Sequence, residues 1–85
     1  EFSVILVNTN VRECIPLAER IVESISKKTF IHDGIATNIS ISAGMSGYPL
    51  PANGPKELIK MADNALYLTK ANGGNSVTIY QPEKI

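Results

Sequence analysis

The sequence has 85 residues, 44% of them hydrophobic, with eight basic and eight acidic side chains and no formal net charge. That length leaves room for one small domain, and the charge balance gives no electrostatic ground for a nucleic-acid or membrane partner. A single cysteine, Cys14, excludes an internal disulfide framework, and no apolar run is long enough to span a bilayer or act as a signal segment, so a reducing, cytoplasmic setting is expected.

The chain opens at Glu1-Phe2 directly on FSVILV, with no Met and no leader, and is read as a fragment. Phe2 to Val7 is rich in β-branched residues and apolar at almost every position, which predicts a central strand covered on both faces. Asn8, Thr9 and Asn10 form a polar turn, and Asn10 with Glu13 three residues on resembles a capping box. The helix it starts is predicted to run to about Lys28. Its apolar face is Cys14, Leu17, Ala18, Ile21, Val22 and Ile25, and Arg12, Glu19, Arg20, Glu23 and Lys27 lie opposite. Pro16 removes a hydrogen bond from a helix interior, so either the helix bends there or its regular part begins at Pro16 after a looser turn. Glu23 and Lys27 stand in the favourable order for an i, i+4 ion pair, a surface contact of little energetic weight.

Phe30 to Ile35 encloses Asp33-Gly34, a dipeptide that accepts positive φ, and predicts a small hairpin. From Thr37 to Met45 the residues alternate, Ile39, Ile41, Ala43 and Met45 on one face and Asn38, Ser40, Ser42 and Gly44 on the other, which predicts a long strand. Gly47 to Gly54 reads as a loop. The stretch Pro55 to Asn75 is a helix with both ends written in: Pro55 suits the first helical position and Gly73 the left-handed residue that stops it. Its core half carries Leu58, Ile59, Met61, Ala62, Ala65, Leu66, Leu68 and Thr69; Glu57, Lys60, Asp63, Asn64, Tyr67 and Lys70 lie opposite. Ser76 to Tyr80 is a closing strand and residues 81–85 a tail. Strand, helix, strand, helix, strand implies crossover units and an α/β layer, an α+β sandwich with two helices, about three main strands and a small hairpin.

Three stretches in order, covering nearly all of Glu1 to Tyr80, resemble the GGDEF domain, the diguanylate cyclase family. Glu1-Phe2 followed by SVILV resembles the last two letters of the GGDEF motif and the strand after it. LAERI at Leu17 to Ile21 resembles the family's next helix. ISISAG at Ile39 to Gly44, then MADNALYLTKANGGN at Met61 to Asn75, resembles the family's strand and its AD-x-ALY-x-AK-x-x-G-x-N helix. The resemblance implies the C-terminal half of a single GGDEF domain over residues 1–85, of the adenylyl-cyclase-like, ferredoxin-related fold.

It also implies a chemistry. Two GTP-loaded domains meet in an antiparallel homodimer, each ribose 3′-hydroxyl attacks the other α-phosphorus, and pyrophosphate leaves to give cyclic di-GMP, with magnesium or manganese neutralising the phosphates. Matched by position, Glu1 is the motif's fourth letter and a catalytic residue, Lys70 contacts the nucleotide phosphates, and Arg20 matches an arginine that in some members contacts cyclic di-GMP at an inhibitory site. The family usually has Arg or Lys where this chain has Gly74, so one phosphate contact is missing. The principal metal ligands, guanine contacts and first three motif letters belong before Glu1, so the 85 residues alone are expected neither to bind the metal nor to turn over.

The family's first strand, which lies beside the strand begun by Phe2, also belongs before Glu1. Its lack leaves an apolar edge, and strand pairing or swapping between chains is expected. Each candidate has a plainer counterpart: an exposed carboxylate for Glu1, a cation favoured by the helix dipole for Lys70, a solvated helix residue for Arg20, a helix stop for Gly73-Gly74. Cys14 and His32 lack metal-ligand partners at useful spacing and are read as core filler and loop residue. Two function classes stand: a diguanylate cyclase, and a degenerate GGDEF module that binds nucleotide or a partner without catalysis. The resemblance leaves room for a parent tethered to the membrane through other domains. A split βαβ nucleic-acid binder is disfavoured by the neutral charge and the lack of an aromatic strand motif.

Overall fold

The computed structural model describes residues 1–81, so of the tail predicted at 81–85 only Gln81 lies within the described residues. Helix α1 (Ile15–Lys27) leads to strands β1 (Thr29–His32) and β2 (Ile35–Asn38). Strand β3 (Ala43–Met45), helix α2 (Pro55–Ala71) and strand β4 (Val77–Ile79) follow. Strands β1 and β2 form one antiparallel pair, and β3 and β4 a parallel pair joined across α2. This is an α+β fold of two helices and two small sheets.

The parallel pair and α2 form the centre. Ala43 is opposite Val77, Gly44 opposite Thr78 and Met45 opposite Ile79, and the ladder continues at both ends through Ala43 N–H to Ser76 C=O (3.0 Å) and Tyr80 N–H to Met45 C=O (2.7 Å). Gly44 sets the depth of packing. A Cβ there would stand 2.3 Å from both the Ala62 carbonyl oxygen and the Leu66 nitrogen, so the α2 backbone lies directly on the strand. Ala65 and Thr69, the fully buried residues of α2, continue that contact.

Pro16 occupies the first turn of α1, where a missing N–H interrupts nothing, and Val11–Cys14 before it forms a 3₁₀ turn. The regular helix therefore starts at Ile15, with the proline as its second residue and not in its interior. Asn10 caps that turn differently from a capping box: its side chain accepts from Arg12 N–H at 2.9 Å, and Glu13 N–H goes to the Asn10 carbonyl. Cys14 at the end of the 3₁₀ turn and Val22 on α1 are buried, whereas Leu17 and Ile21 remain 39% and 44% exposed. The hairpin forms as predicted, with Asp33 (φ 50°) and Gly34 (φ 75°) at its centre, both left-handed as a primed two-residue turn demands.

Two predictions are corrected. Phe2–Val7 forms no strand: it carries no pairing, and Phe2 is 99% and Ile5 81% exposed. A strand exists only through its ladder, and no neighbour supplies one. The long strand predicted over Thr37–Met45 is divided, with Thr37 and Asn38 ending the hairpin, Ala43–Met45 joining β4, and 39–42 paired with neither. Alternation marks which face each residue takes; it does not supply a partner strand.

Candidate functional site

Helix α2 carries the strongest candidate, Lys70, and its sequence explains why that side chain stands where it does. Pro55 opens the helix, Glu57 places a carboxylate in the first turn, and Lys70 lies in the last turn, each charge favoured by the helix dipole. Gly74 N–H reaches the Thr69 carbonyl at 2.9 Å and Gly73 N–H the Lys70 carbonyl at 3.2 Å, the paired closure of a Schellman end. Gly73 (φ 105°) is in the left-handed region that this closure needs.

One residue earlier, Thr69 is fully buried. Its hydroxyl lies 2.9 Å from the Ala43 carbonyl, 3.0 Å from the Ala65 carbonyl and 2.6 Å from the Thr78 hydroxyl. The backbone of Lys70 is thus fixed on one side by contacts to β3 and β4 and on the other by the glycine closure, while its side chain is exposed. Asp63 and Tyr67, three and four residues apart on the same polar stripe, are also exposed. An exposed cation on an anchored helix end can make charge-assisted contacts to a polyanion approaching from solvent.

The other predicted residues lie elsewhere. Glu1 begins the unpaired segment and is exposed, so no ladder holds it at a fixed distance from Lys70. Arg20 is exposed on α1. Among the described residues the ion pair is Glu23 with Lys27, and His32 Nε2 lies 3.3 Å from an Asp33 carboxylate oxygen; neither contact includes Glu1, Arg20 or Lys70. Hydrogen bonding from the Lys27 ammonium, then its charge, holds the Glu23 carboxyl below its ordinary value. Cys14 is buried with Sγ 3.4 Å from the Asn10 carbonyl, a core contact, and His32 sits at the exposed hairpin turn beside Asp33.

Among the described residues no group of three His, Cys, Asp or Glu side chains converges. Gly74 (φ 71°) closes the helix, and its missing Cβ also leaves room for the Ser42 hydroxyl, which would stand 2.9 Å from such a carbon. Sequence reading placed Thr69 on the core half of α2 without a role and gave Gly44 only a face. The usable signal was a glycine inside an alternating strand, which marks close backbone approach.

Known proteins resemble this chain over most of its length. The family model described as diguanylate cyclase, GGDEF domain, matches residues 1–76. The chain is 40% identical over 79 residues to Diguanylate cyclase A of Treponema denticola, covering 93% of this chain and 21% of that protein. It is 35% identical over 79 residues to Response regulator PleD of Caulobacter vibrioides, covering 91% and 17%. It is 30% identical over 84 residues to Probable diguanylate cyclase DgcE of Escherichia coli, covering 99% and 8%. The chain therefore spans about a fifth or less of the length of these curated relatives. The match runs through the 3₁₀ turn, α1, the hairpin, β3 and α2, and the chain belongs to the diguanylate cyclase GGDEF domain family.

Proposed function

We propose that these residues are the C-terminal half of a GGDEF domain that, when whole, condenses two GTP into cyclic di-GMP and pyrophosphate as an antiparallel homodimer in the cytoplasm. The observation that carries this reading is Lys70, an exposed cation on the anchored last turn of α2, at the family position that contacts nucleotide phosphates. Glu1 takes the fourth motif position at the reacting centre, and Arg20 takes the cyclic di-GMP contact of the inhibitory site. Magnesium or manganese belongs to the whole domain. The 85 residues alone bind no catalytic metal and do not turn over, but they associate with one another through their unpaired strand segment.

The second reading, a degenerate module that binds nucleotide or a partner without catalysis, rests on Gly74 standing where the family usually carries a basic residue. Incubating the full-length domain with GTP and magnesium separates the two. Cyclic di-GMP formation, lowered by Lys70→Ala, supports the cyclase; GTP binding without product overturns it in favour of the module. The three residues before Glu1 give the same discrimination: Gly-Gly-Asp or Gly-Gly-Glu accompanies catalysis.

A further inference from the structure

A fully buried threonine in the last turns of a helix is a costly choice. Its β-branch lowers helix propensity relative to Ala, and its hydroxyl needs a partner once it leaves water. For Thr69 the Ala65 carbonyl, one turn back in α2 and 3.0 Å away, would meet that need by itself. The hydroxyl nevertheless also lies 2.9 Å from the Ala43 carbonyl of β3 and 2.6 Å from the Thr78 hydroxyl of β4. These two further contacts do more than satisfy a buried oxygen: they lock the end of α2 to both strands of the parallel pair.

The lock encloses one stretch of chain. Thr69 and Thr78 stand at the two ends of the segment that runs from Lys70 through the closing glycines into β4, and their hydroxyl pair closes that segment at its base. A second link closes it from within, because the Thr69 carbonyl accepts from Gly74 N–H at 2.9 Å, and the entry to β4 is held where Ala43 N–H bonds the Ser76 carbonyl at 3.0 Å. Lys70 is the first residue of this closed segment. A helix end is otherwise the part of the helix that opens first, and an ammonium on a four-carbon stem keeps its place only as well as the backbone beneath it.

Resting on the phosphate contact proposed above for Lys70, we propose that Thr69 and Thr78 are positioning residues for that contact. Thr69 is fully buried and acts through Lys70 and not on the nucleotide. The hydroxyl pair holds the Lys70 backbone, so the ammonium reaches the phosphates without the helix end having to be ordered first. A group ordered only at the moment of binding gives up affinity that a preorganised one keeps, and a misplacement of about 1 Å can cost ~100-fold in rate.

The experiment is a double-mutant cycle between Thr69 and Lys70 in the full-length domain. It is read as kcat/KM for GTP, or as the GTP dissociation constant if the domain binds without turnover, with circular dichroism at the assay temperature to establish that each variant is folded. Thr69→Val, which keeps the shape and deletes the hydroxyl, is expected to weaken the readout at least ~3-fold, and Thr69→Ser to restore it to within about 2-fold of wild type. Added to Lys70→Ala, Thr69→Val is expected to change the readout by less than about 2-fold, because a residue that acts through Lys70 has nothing left to act on. Thr78→Val tests the pair from the half-buried β4 side, leaves the Thr69 hydroxyl its two carbonyls, and serves in the same cycle if Thr69→Val does not fold. It is expected to show the same dependence on Lys70. Equal losses with and without Lys70 would reveal a general structural role and overturn the proposal, as would wild-type readouts from both valine variants. A Lys70→Ala variant equal to wild type would instead overturn the phosphate contact itself, and the proposal with it, so the two failures are read from different variants.

Discussion

The hydroxyl oxygens of Thr69 and Thr78 lie 2.6 Å apart, joining α2 to β4 across the Ala43 carbonyl of β3. One hydroxyl carries one proton. Thr69 therefore gives its proton to a carbonyl, Ala43 or Ala65, and accepts that of Thr78, so the two threonines act as one unit. This unit fixes the turn immediately before Lys70.

Replacing Thr69 by Val keeps the shape and removes the link. The Thr78 hydroxyl then loses its acceptor, and the expected destabilisation is about 1–2 kcal/mol. Thr69→Ser, which retains the oxygen, is expected to cost less. In urea unfolding, a double-mutant cycle with Thr78→Val should return a coupling of at least ~0.5 kcal/mol, and simple additivity would refute the paired arrangement.

Gly44 admits no side chain without moving α2, because the atoms its Cβ would meet are backbone. Gly44→Ala is expected to cost about 3 kcal/mol or more, at the upper end of overpacking effects. For a domain of this size that is a fall in melting temperature of about 12 °C or more, read by thermal circular dichroism.

Gly73 closes α2 at φ 105°, where a Cβ is strained although nothing crowds it. Gly73→Ala is expected to cost about 1 kcal/mol through backbone strain alone. Because the helix end frays first, amide exchange at Gly74, whose N–H bonds the Thr69 carbonyl, should speed up more than exchange at Ala65.

Lys70 tests function separately from folding. Its side chain is exposed, so Lys70→Ala should leave the melting temperature within about 2 °C. In the full-length domain the same change is expected to lower kcat/KM for GTP by about 10- to 100-fold, the loss of one charged phosphate contact. An unchanged kcat/KM would remove Lys70 from the site.

Glu23 has its carboxyl pKa held down by Lys27. A carboxylate with a depressed folded pKa contributes stability that is present above its unfolded value, 4.5, and is lost as pH falls through the folded one. The pair is exposed, so the contribution is small and screened by salt. Urea midpoints measured from neutral pH to about pH 3 should fall slightly less for Glu23→Gln than for wild type.

What the sequence alone determined about this protein is local. Pro16 and Pro55 start helices because they need no N–H there, Gly73 stops one because it tolerates positive φ, and Asp33-Gly34 turns a hairpin for the same reason. Periodicity sorted α2 into the face that holds Thr69 and the stripe that holds Lys70. Tertiary structure decided everything that needs a second element. Phe2–Val7 and residues 39–42 have strand composition, yet a strand forms only where another chain segment accepts its hydrogen bonds, and here none does. That α2 lies on Gly44 closely enough to exclude a Cβ, and that Thr69 and Thr78 are hydrogen-bonded to each other one residue before Lys70, follow from contacts between separate elements, which no local spacing records.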